Sequence, residues 1–376
     1  MKKYLFSALC CALIVGGFVY GLPGSALAYD VEIHGYGNQD FMKSSKNQYL
    51  NAKDGTWEHN TMSLVFTANV TDDTSVWSKI FAESEKTAVE WLYVDKKFGN
   101  DVDARFGQMK LPLGIFNLIR DNKFLHLSEL DPMMYSENVD IIFENFRGVD
   151  LEYHSKWLTL NLFGGAPEFE EGEEGGAQVV DTVANTVTTT SSELSTKNLF
   201  GARLELKTPV EGLSFILSGS QFEEEETTKT VTLDLAAPGT VTEDIATEKG
   251  DEKLWMASLN FERSGLDLKA EYARKTGINE KMASWYAEAG YTLFEKLTPF
   301  VRYDYLTRDR DNKSDLWNYQ KDITVGLGYT VNNYVKLKVE DHFLKGYAMP
   351  VATGEVEAGA GEQRWNLIVA GINFMF

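Results

Sequence analysis

Cysteine is nearly absent from this sequence. Only Cys10 and Cys11 occur among its 376 residues. Both lie in an N-terminal segment that we predict to be removed, so the remaining chain has no thiol. Disulfide bonds, thiolate metal sites and cysteine catalysis are therefore excluded.

Positive charge is also scarce. Lysine and arginine number 36 against 56 aspartates and glutamates, giving a formal net charge of −20. Loss of Lys2 and Lys3 with the N-terminal segment makes the charge −22. A protein of this sign is not expected to bind nucleic acid.

The sequence has a single long hydrophobic run, at residues 4–22. It follows Lys2 and Lys3 and precedes the small-residue stretch Ser-Ala-Leu-Ala at 25–28, a pattern typical of a cleavable signal peptide. We predict a signal peptide at 1–28 and a single exported domain at 29–376. No second run of similar hydrophobicity follows, which excludes a helical inner-membrane protein.

Motifs for catalysis and metal binding are missing. The five histidines show no metal-ligand spacing, and no Gly-x-Ser-x-Gly motif occurs. Residues 309–315 resemble a calcium loop but lack its glycine and its final glutamate. His154 and Ser155 are neighbours, so on a strand they point to opposite faces. We therefore predict no enzyme, no catalytic residue, no metal and no cofactor.

Alternation of apolar and polar residues is the strongest pattern present. Between residues 322 and 331 the odd positions are apolar and the even ones polar or glycine, and the pattern restarts at Val335 after Asn332 and Asn333. Such alternation indicates strands with one face toward lipid and the other toward water. The last strand ends on aromatic Phe376, which is similar to the assembly signal of outer-membrane barrels.

The connections between these strands alternate in length. Short turns are predicted at 71–74, 98–101, 154–157, 208–212, 263–265, 294–297 and 331–333. Mostly longer loops are predicted at 44–57, 84–87, 111–146, 164–196, 223–252, 276–281, 308–319 and 344–363. Seven turns and eight loops join about 16 strands, which predicts an all-β, antiparallel, up-and-down transmembrane barrel. A barrel of this size encloses an aqueous channel rather than a packed interior.

Residues 105–114, Arg-Phe-Gly-Gln-Met-Lys-Leu-Pro-Leu-Gly, and the run at 147–151 carry a resemblance to a known family. They resemble Gram-negative outer-membrane porins, and particularly the phosphate-selective porin family and its relatives. The resemblance implies that residues 111–146 are a third loop folded into the lumen, and that the protein is a homotrimer. This chain departs from the family in its acidity, because the family's basic ladder is not evident.

Charges at the constriction set the selectivity of a channel. Alternation and the third loop together give ten candidate residues for the constriction and lumen: Arg105, Lys110, Arg120, Asp121, Lys123, Glu129, Asp131, Arg147, Arg203 and Arg302. We expect the loop members to face Arg105 or Arg147 across the gap. The alternative is that these charges simply pair with one another around a hydrated wall.

Most of the net negative charge lies in two predicted loops. Residues 164–196 carry seven acids and no base, and residues 223–252 carry ten acids and two lysines. Acids at a channel mouth concentrate cations, which favours a weak cation preference. Acidic loops also serve solubility or bind divalent cations that bridge lipopolysaccharide.

The sequence thus predicts a Gram-negative outer-membrane porin for passive diffusion of ions and small hydrophilic solutes. The alternatives are an anion- or phosphate-selective porin and an outer-membrane adhesin or receptor without a channel. Expected partners are outer-membrane lipid, lipopolysaccharide, the solutes and two further copies of the chain.

Overall fold

The computed structural model describes residues 30–83, 86–136, 138–139, 141–167, 177–181, 186–234, 240–277 and 281–376. The predicted signal peptide at 1–28 lies outside these ranges, and its removal stays a prediction. Within them, no helix combines the length and apolar character needed to span a bilayer.

Seventeen β-strands make up most of the described chain. They are β1 (Asp30–Ser44), β2 (Thr56–Thr71), β3 (Thr74–Glu83), β4 (Lys86–Phe98), β5 (Val102–Lys110), β6 (Asn145–His154), β7 (Leu158–Pro167), β8 (Ala177–Asp181), β9 (Thr186–Lys207), β10 (Leu213–Asp234), β11 (Thr240–Arg263), β12 (Leu266–Thr276), β13 (Ala283–Tyr291), β14 (Leu297–Thr307), β15 (Tyr319–Asn332), β16 (Val335–Gly346) and β17 (Arg364–Met375). Short 3₁₀-helices occupy Phe116–Leu118, Lys123–Leu125 and Met133–Tyr135, and one α-helix, α1, spans Ala348–Ala352.

The strands form a closed ring. Apart from the short β8, each pairs antiparallel with the next strand along the chain, and β17 returns to pair with β1 through Tyr36 and Met375. Within the described ranges the short β8 pairs only with β9, while β7 pairs directly with β9. Sixteen strands therefore close the barrel, which confirms the predicted architecture.

Connection lengths alternate as predicted. At one end of the barrel the described strands are joined by two to five residues, and the longest connection at the other end runs from 111 to 144. The predicted loop at 223–252 differs, because β10 and β11 continue to the pair Asp234 and Thr240. Threonines favour extended backbone there, and cross-strand ion pairs such as Lys229 with Glu243 support it.

The two faces of the barrel have opposite chemistry. Outward residues include large exposed apolar side chains, such as Phe106 at 69% and Leu217 at 57% exposure. Inward residues include charged side chains that are almost fully buried, such as Lys79, Arg302 and Asp304. This distribution is the reverse of that in a soluble protein and fits a wall that faces lipid.

Part of the interior is packed, which the sequence did not predict. The connection at 111–144 contributes apolar side chains, and the inward residues beside it change from polar to apolar. Together they form a buried hydrophobic cluster that includes Met109, Leu111, Leu113, Phe116, Met134, Tyr135, Ile141, Phe146, Phe163, Leu254 and Met256. The expectation of an aqueous interior without packing is therefore wrong at this end of the barrel.

Candidate functional site

The long connection between β5 and β6, residues 111–144, is called the loop segment below. Near its start the backbone N–H of Gly114 donates to Ser218 Oγ on β10 at 3.0 Å. The next N–H, of Ile115, donates to Glu271 of β12 at 2.8 Å, and Tyr135 Oη donates to the same carboxylate at 2.7 Å. Since Ser218 and Glu271 are inward-facing and buried, these bonds set the loop segment against the inner wall.

Glu340 of β16 holds the middle of the loop segment. Its carboxylate accepts hydrogen bonds from Ser128 Oγ at 3.0 Å, from the N–H of Glu129 at 2.9 Å and from the N–H of Leu130 at 3.2 Å. His342 lies 2.9 Å away through Nε2, and its Nδ1 lies 2.6 Å from Asp322. The imidazole thus orients the carboxylate that holds the loop.

Three wall cations bind backbone carbonyls of the same stretch. Lys336 Nζ donates to the carbonyl of Phe124 and Lys338 Nζ to that of Lys123, both at 2.5 Å. Arg302 donates to the carbonyl of Leu130 at 2.8 Å while its Nε lies 2.6 Å from Asp304. A segment with little regular structure therefore has its backbone groups satisfied by the wall.

A compact ion cluster joins the loop segment to β3, β4 and β5. The buried amines of Lys79 and Lys110 both pair with Asp121. Lys79 also pairs with Glu90, and Lys110 pairs with Glu144. The network thus shares two cations among three carboxylates. Removing one of its side chains would leave a buried charge without a partner.

A second cluster lies within the loop segment itself. Lys123 pairs with Asp131, and Arg120 Nε lies 3.9 Å from Asp131 and 3.7 Å from Glu144. His126 lies beside them, with Nε2 2.9 Å from the carbonyl oxygen of Ile119. Burial, together with the nearby charges of Lys123 and Lys338, holds the pKa of His126 well below its ordinary value.

Glu129 contacts the two strands that close the ring. Asn373 Nδ2 of β17 donates to its carboxylate at 2.8 Å, and Lys338 Nζ lies 3.6 Å away. An added Cβ at Gly371 would lie within 2.7 Å of both Glu129 and Asp40, so Asp40 of β1 is close by. The loop segment thus reaches the wall far from its own ends.

Eight of the ten predicted site residues are brought together by these contacts. Six belong to the contacts just described: Lys110, Arg120, Asp121, Lys123, Glu129 and Asp131. In addition, Arg302 donates to the carbonyl of Leu130, and Arg203 Nε donates to the carbonyl of Gly114 at 3.1 Å. The role of all eight residues in selectivity stays a prediction.

Two predicted residues lie elsewhere. Arg147 is exposed on the outward face of β6 and donates to Gln108 at 3.0 Å. It was expected in the lumen, but Phe146 and Asp150 occupy the inward face, so alternation turns Arg147 out. Arg105 is inward yet its described ion pairs are with wall carboxylates, not with the loop segment.

Arg105 lies in an acidic group near the short-turn end of the barrel. Its guanidinium is 3.0 Å from Asp150, 3.1 Å from Glu152 and 3.4 Å from Asp95. Asp103 faces Glu152 across β5 and β6. Lys97 of β4 lies opposite Asp103, so four carboxylates outnumber two cations in this part of the lumen.

Two groups in the described chain could hold a metal ion. One is Glu90, Asp121 and Glu144, whose carboxylates already pair with Lys79 and Lys110. The other is Asp103, Glu152 and His154. The second group was not predicted from the sequence, although Glu152 and His154 at i and i+2 share one face of a strand.

Comparison with known proteins shows similarity in structure but not in sequence. No family model matches the chain, and no curated protein matches it. Among solved structures, the outer-membrane protein OmpT of Vibrio cholerae superposes with a TM-score of 0.59 at 11% identity, covering 94% of this chain and 99% of that one.

Two further structures have the same architecture. The anion-selective porin from Comamonas acidovorans has a TM-score of 0.58 at 13% identity, covering 93% of this chain and 100% of its own. The outer membrane channel DcaP of Acinetobacter baumannii has a TM-score of 0.54 at 14% identity, covering 94% and 99%. At such identities the similarity shows the fold alone.

Proposed function

We propose that this protein is an outer-membrane porin through which ions and small hydrophilic solutes diffuse passively. The observation that carries the proposal is the closed ring of 16 strands, apolar on its outer face and charged on its inner face. A ring without free edges satisfies its backbone in a bilayer, and its polar inner face suits water and ions. The fold shared with named outer-membrane channels supports this function.

In this proposal the loop segment is the constriction. Its backbone is held by β10, β12, β14 and β16 from inside the ring. A segment bound on several sides reduces the cross-section open to solutes. We therefore expect a conductance well below that of an unobstructed 16-strand ring.

Cation preference is favoured over anion or phosphate selectivity. Cations on and near the loop segment, such as Lys110, Lys123 and Arg302, form ion pairs with carboxylates, which weakens the field an anion would meet. Around Arg105 the carboxylates outnumber the guanidinium. Selectivity follows the charge that lines the pore.

The proposal also includes the location and the oligomeric state of the protein. The barrel lies in the outer membrane, in contact with lipid and lipopolysaccharide, and three copies assemble as a homotrimer. A trimer form is described for the similar OmpT of Vibrio cholerae. Cross-linking of the intact barrel in native membranes would show a trimer band.

Planar bilayer recording tests the proposal. We expect stepwise conductance from the folded protein, with a reversal potential under a KCl gradient that indicates cation preference. Absence of conductance from correctly folded protein would overturn the channel and favour an adhesin or receptor. A reversal potential of the opposite sign would favour the anion-selective alternative.

One pair of variants tests which arginine lines the pore. Arg105→Gln removes the cation from the acidic group, so we expect the cation permeability ratio to rise about twofold or more. Arg147→Gln removes the same charge from the outward face and is the matched control, with an unchanged reversal potential. An equal effect of both substitutions would contradict the assignment.

A further inference from the structure

Asp103, Glu152 and His154 converge at the inner rim of the short-turn end. Glu152 and His154 lie on the inward face at the end of β6, and Asp103 lies near the start of β5. His154 Nδ1 is 3.8 Å from Asp103 Oδ2 and 3.9 Å from Glu152 Oε1. All three potential ligand atoms lie within 4.8 Å of one another.

Among the described residues, the Nδ1 atom of His154 has no hydrogen-bond partner, although it lies within ion-pair distance of both carboxylates. It is buried, although the side chain as a whole is 39% exposed, and it makes no hydrogen bond. The distances to the two carboxylates are too long for hydrogen bonds. One imidazole nitrogen and two carboxylates thus lie close enough together to share a single ion.

Neighbouring residues fix Glu152 while leaving one of its oxygens available. Arg105 Nη1 and Asn161 Nδ2 both donate to Oε2, at 3.1 and 3.0 Å. Oε1 is the atom that faces His154. Hydrogen bonds of this kind from outside a metal site orient its ligands and raise affinity.

From this geometry we propose that Asp103, Glu152 and His154 form a binding site for a divalent first-row transition metal ion, with Zn²⁺ as the probe. Metal–ligand bonds of about 2.0 to 2.2 Å require donor separations of about 3.4 Å in a tetrahedral site. The separations of His154 Nδ1 from the two carboxylates need to shorten by about half an ångström, and that between Asp103 and Glu152 by up to about 1.4 Å. One imidazole with two carboxylates favours such ions over Mg²⁺ or Ca²⁺, which prefer all-oxygen ligands.

Three protein ligands leave a fourth position open to water or to a solute. The site faces the lumen, so a bound ion would add positive charge where carboxylates otherwise predominate. This inference goes beyond the channel function, and the metal would bind whether or not the barrel conducts.

Cobalt substitution tests the site in the folded, tag-free barrel in detergent. We expect Co²⁺ to produce visible absorption that Zn²⁺ abolishes by displacement and that excess Mg²⁺ leaves unchanged. Titration calorimetry with Zn²⁺ should give a binding site that His154→Ala weakens at least tenfold. Asp103→Asn is a second variant that keeps the side-chain shape and should also weaken binding.

His34→Ala is the matched control, because His34 and Glu32 also lie two residues apart on a strand, with Nε2 3.5 Å from the carboxylate. It should bind Zn²⁺ as the wild type does. Unchanged migration of unheated samples on gels verifies that each variant is folded. Wild-type protein that binds no Co²⁺, equal affinity in His154→Ala, or displacement by Mg²⁺ would each overturn the proposal.

Discussion

His126 is a buried titratable group on the loop segment. Its ring packs 4.2 Å from Phe116, and Nδ1 lies 3.8 Å from Asp131, whose charge is already paired with Lys123. The folded protein therefore keeps His126 neutral, with its pKa well below the ordinary value. Below about pH 6.5 this histidine is protonated in the unfolded chain but not in the folded one. The free energy of unfolding therefore falls as the pH falls.

We predict that this histidine costs up to about 1.4 kcal/mol of stability at pH 5.5 relative to pH 7.5. His126→Gln retains an amide donor for Ile119 but does not titrate. Thermal unfolding of both proteins at both pH values gives the loss of stability of each protein between pH 7.5 and pH 5.5. The difference between the two losses is the contribution of His126. The wild type should lose a few degrees more than the variant, and equal losses would contradict the prediction.

At the residue scale, alternation predicted orientation well where it was applied. It placed Arg203 and Arg302 in the lumen, and both are inward and buried. Arg147 was expected to face the charged loop residues across the gap, whereas alternation with Asp150 would have turned it outward. The partners of each charge could not be predicted, because they depend on strand register and on the path of the loop.

In the proposed channel, the loop segment is the element whose attachment we expect to affect conductance most. Glu340 accepts two backbone N–H groups and one hydroxyl from three consecutive loop residues. In Glu340→Gln an amide N–H would face one of those donors. A buried donor left without an acceptor costs about 1 to 3 kcal/mol.

We therefore predict that Glu340→Gln increases local opening of the loop segment about tenfold or more. Trypsin is too large to enter the barrel, so cleavage after Arg120 or Lys123 reports opening, and mass spectrometry measures its rate. Asp267→Asn is the control, since Asp267 pairs with Lys269 on its own strand. Cleavage rates that are the same in both variants would show that Glu340 does not hold the loop.

At the element scale, most strands could be predicted from alternation, because a lipid-facing wall imposes a period of two. The lengths of β9, β10 and β11 could not be predicted in this way. Their outer halves are rich in threonine and glutamate, a composition shared by loops, and they become strands through pairing such as that of Glu225 with Lys249. The packed cluster around the loop segment was missed for a similar reason, since it is assembled from distant parts of the chain.

At the scale of the whole molecule, the effect of the net charge on ions depends more on where that charge lies than on how large it is. Exposed acids lie on the projecting parts of β10 and β11, including Glu223, Glu243 and Asp244. Their field extends about 10 Å at 0.1 M salt and about 3 Å at 1 M salt. They act on ions at the mouth only when salt is low.

We predict that the cation permeability ratio declines toward unity as mean KCl rises from 0.1 to 1 M. Reversal potentials at a fixed concentration ratio measure it. Neutralising Glu223 to Glu226 together as glutamines should weaken the salt dependence. A ratio that stays constant with salt would place the selectivity filter inside the barrel instead.

The attachment of the loop segment also fixes an order of folding events. Glu129 binds Asn373, 244 residues later in the chain, and Ser128 binds Glu340, 212 residues later. Neither partner is in place until the last strands have paired and β17 has met β1. Contacts so distant in sequence form late and slowly, so a newly closed barrel begins with its loop segment unattached, and the attachment of that segment to the wall is the final step of maturation.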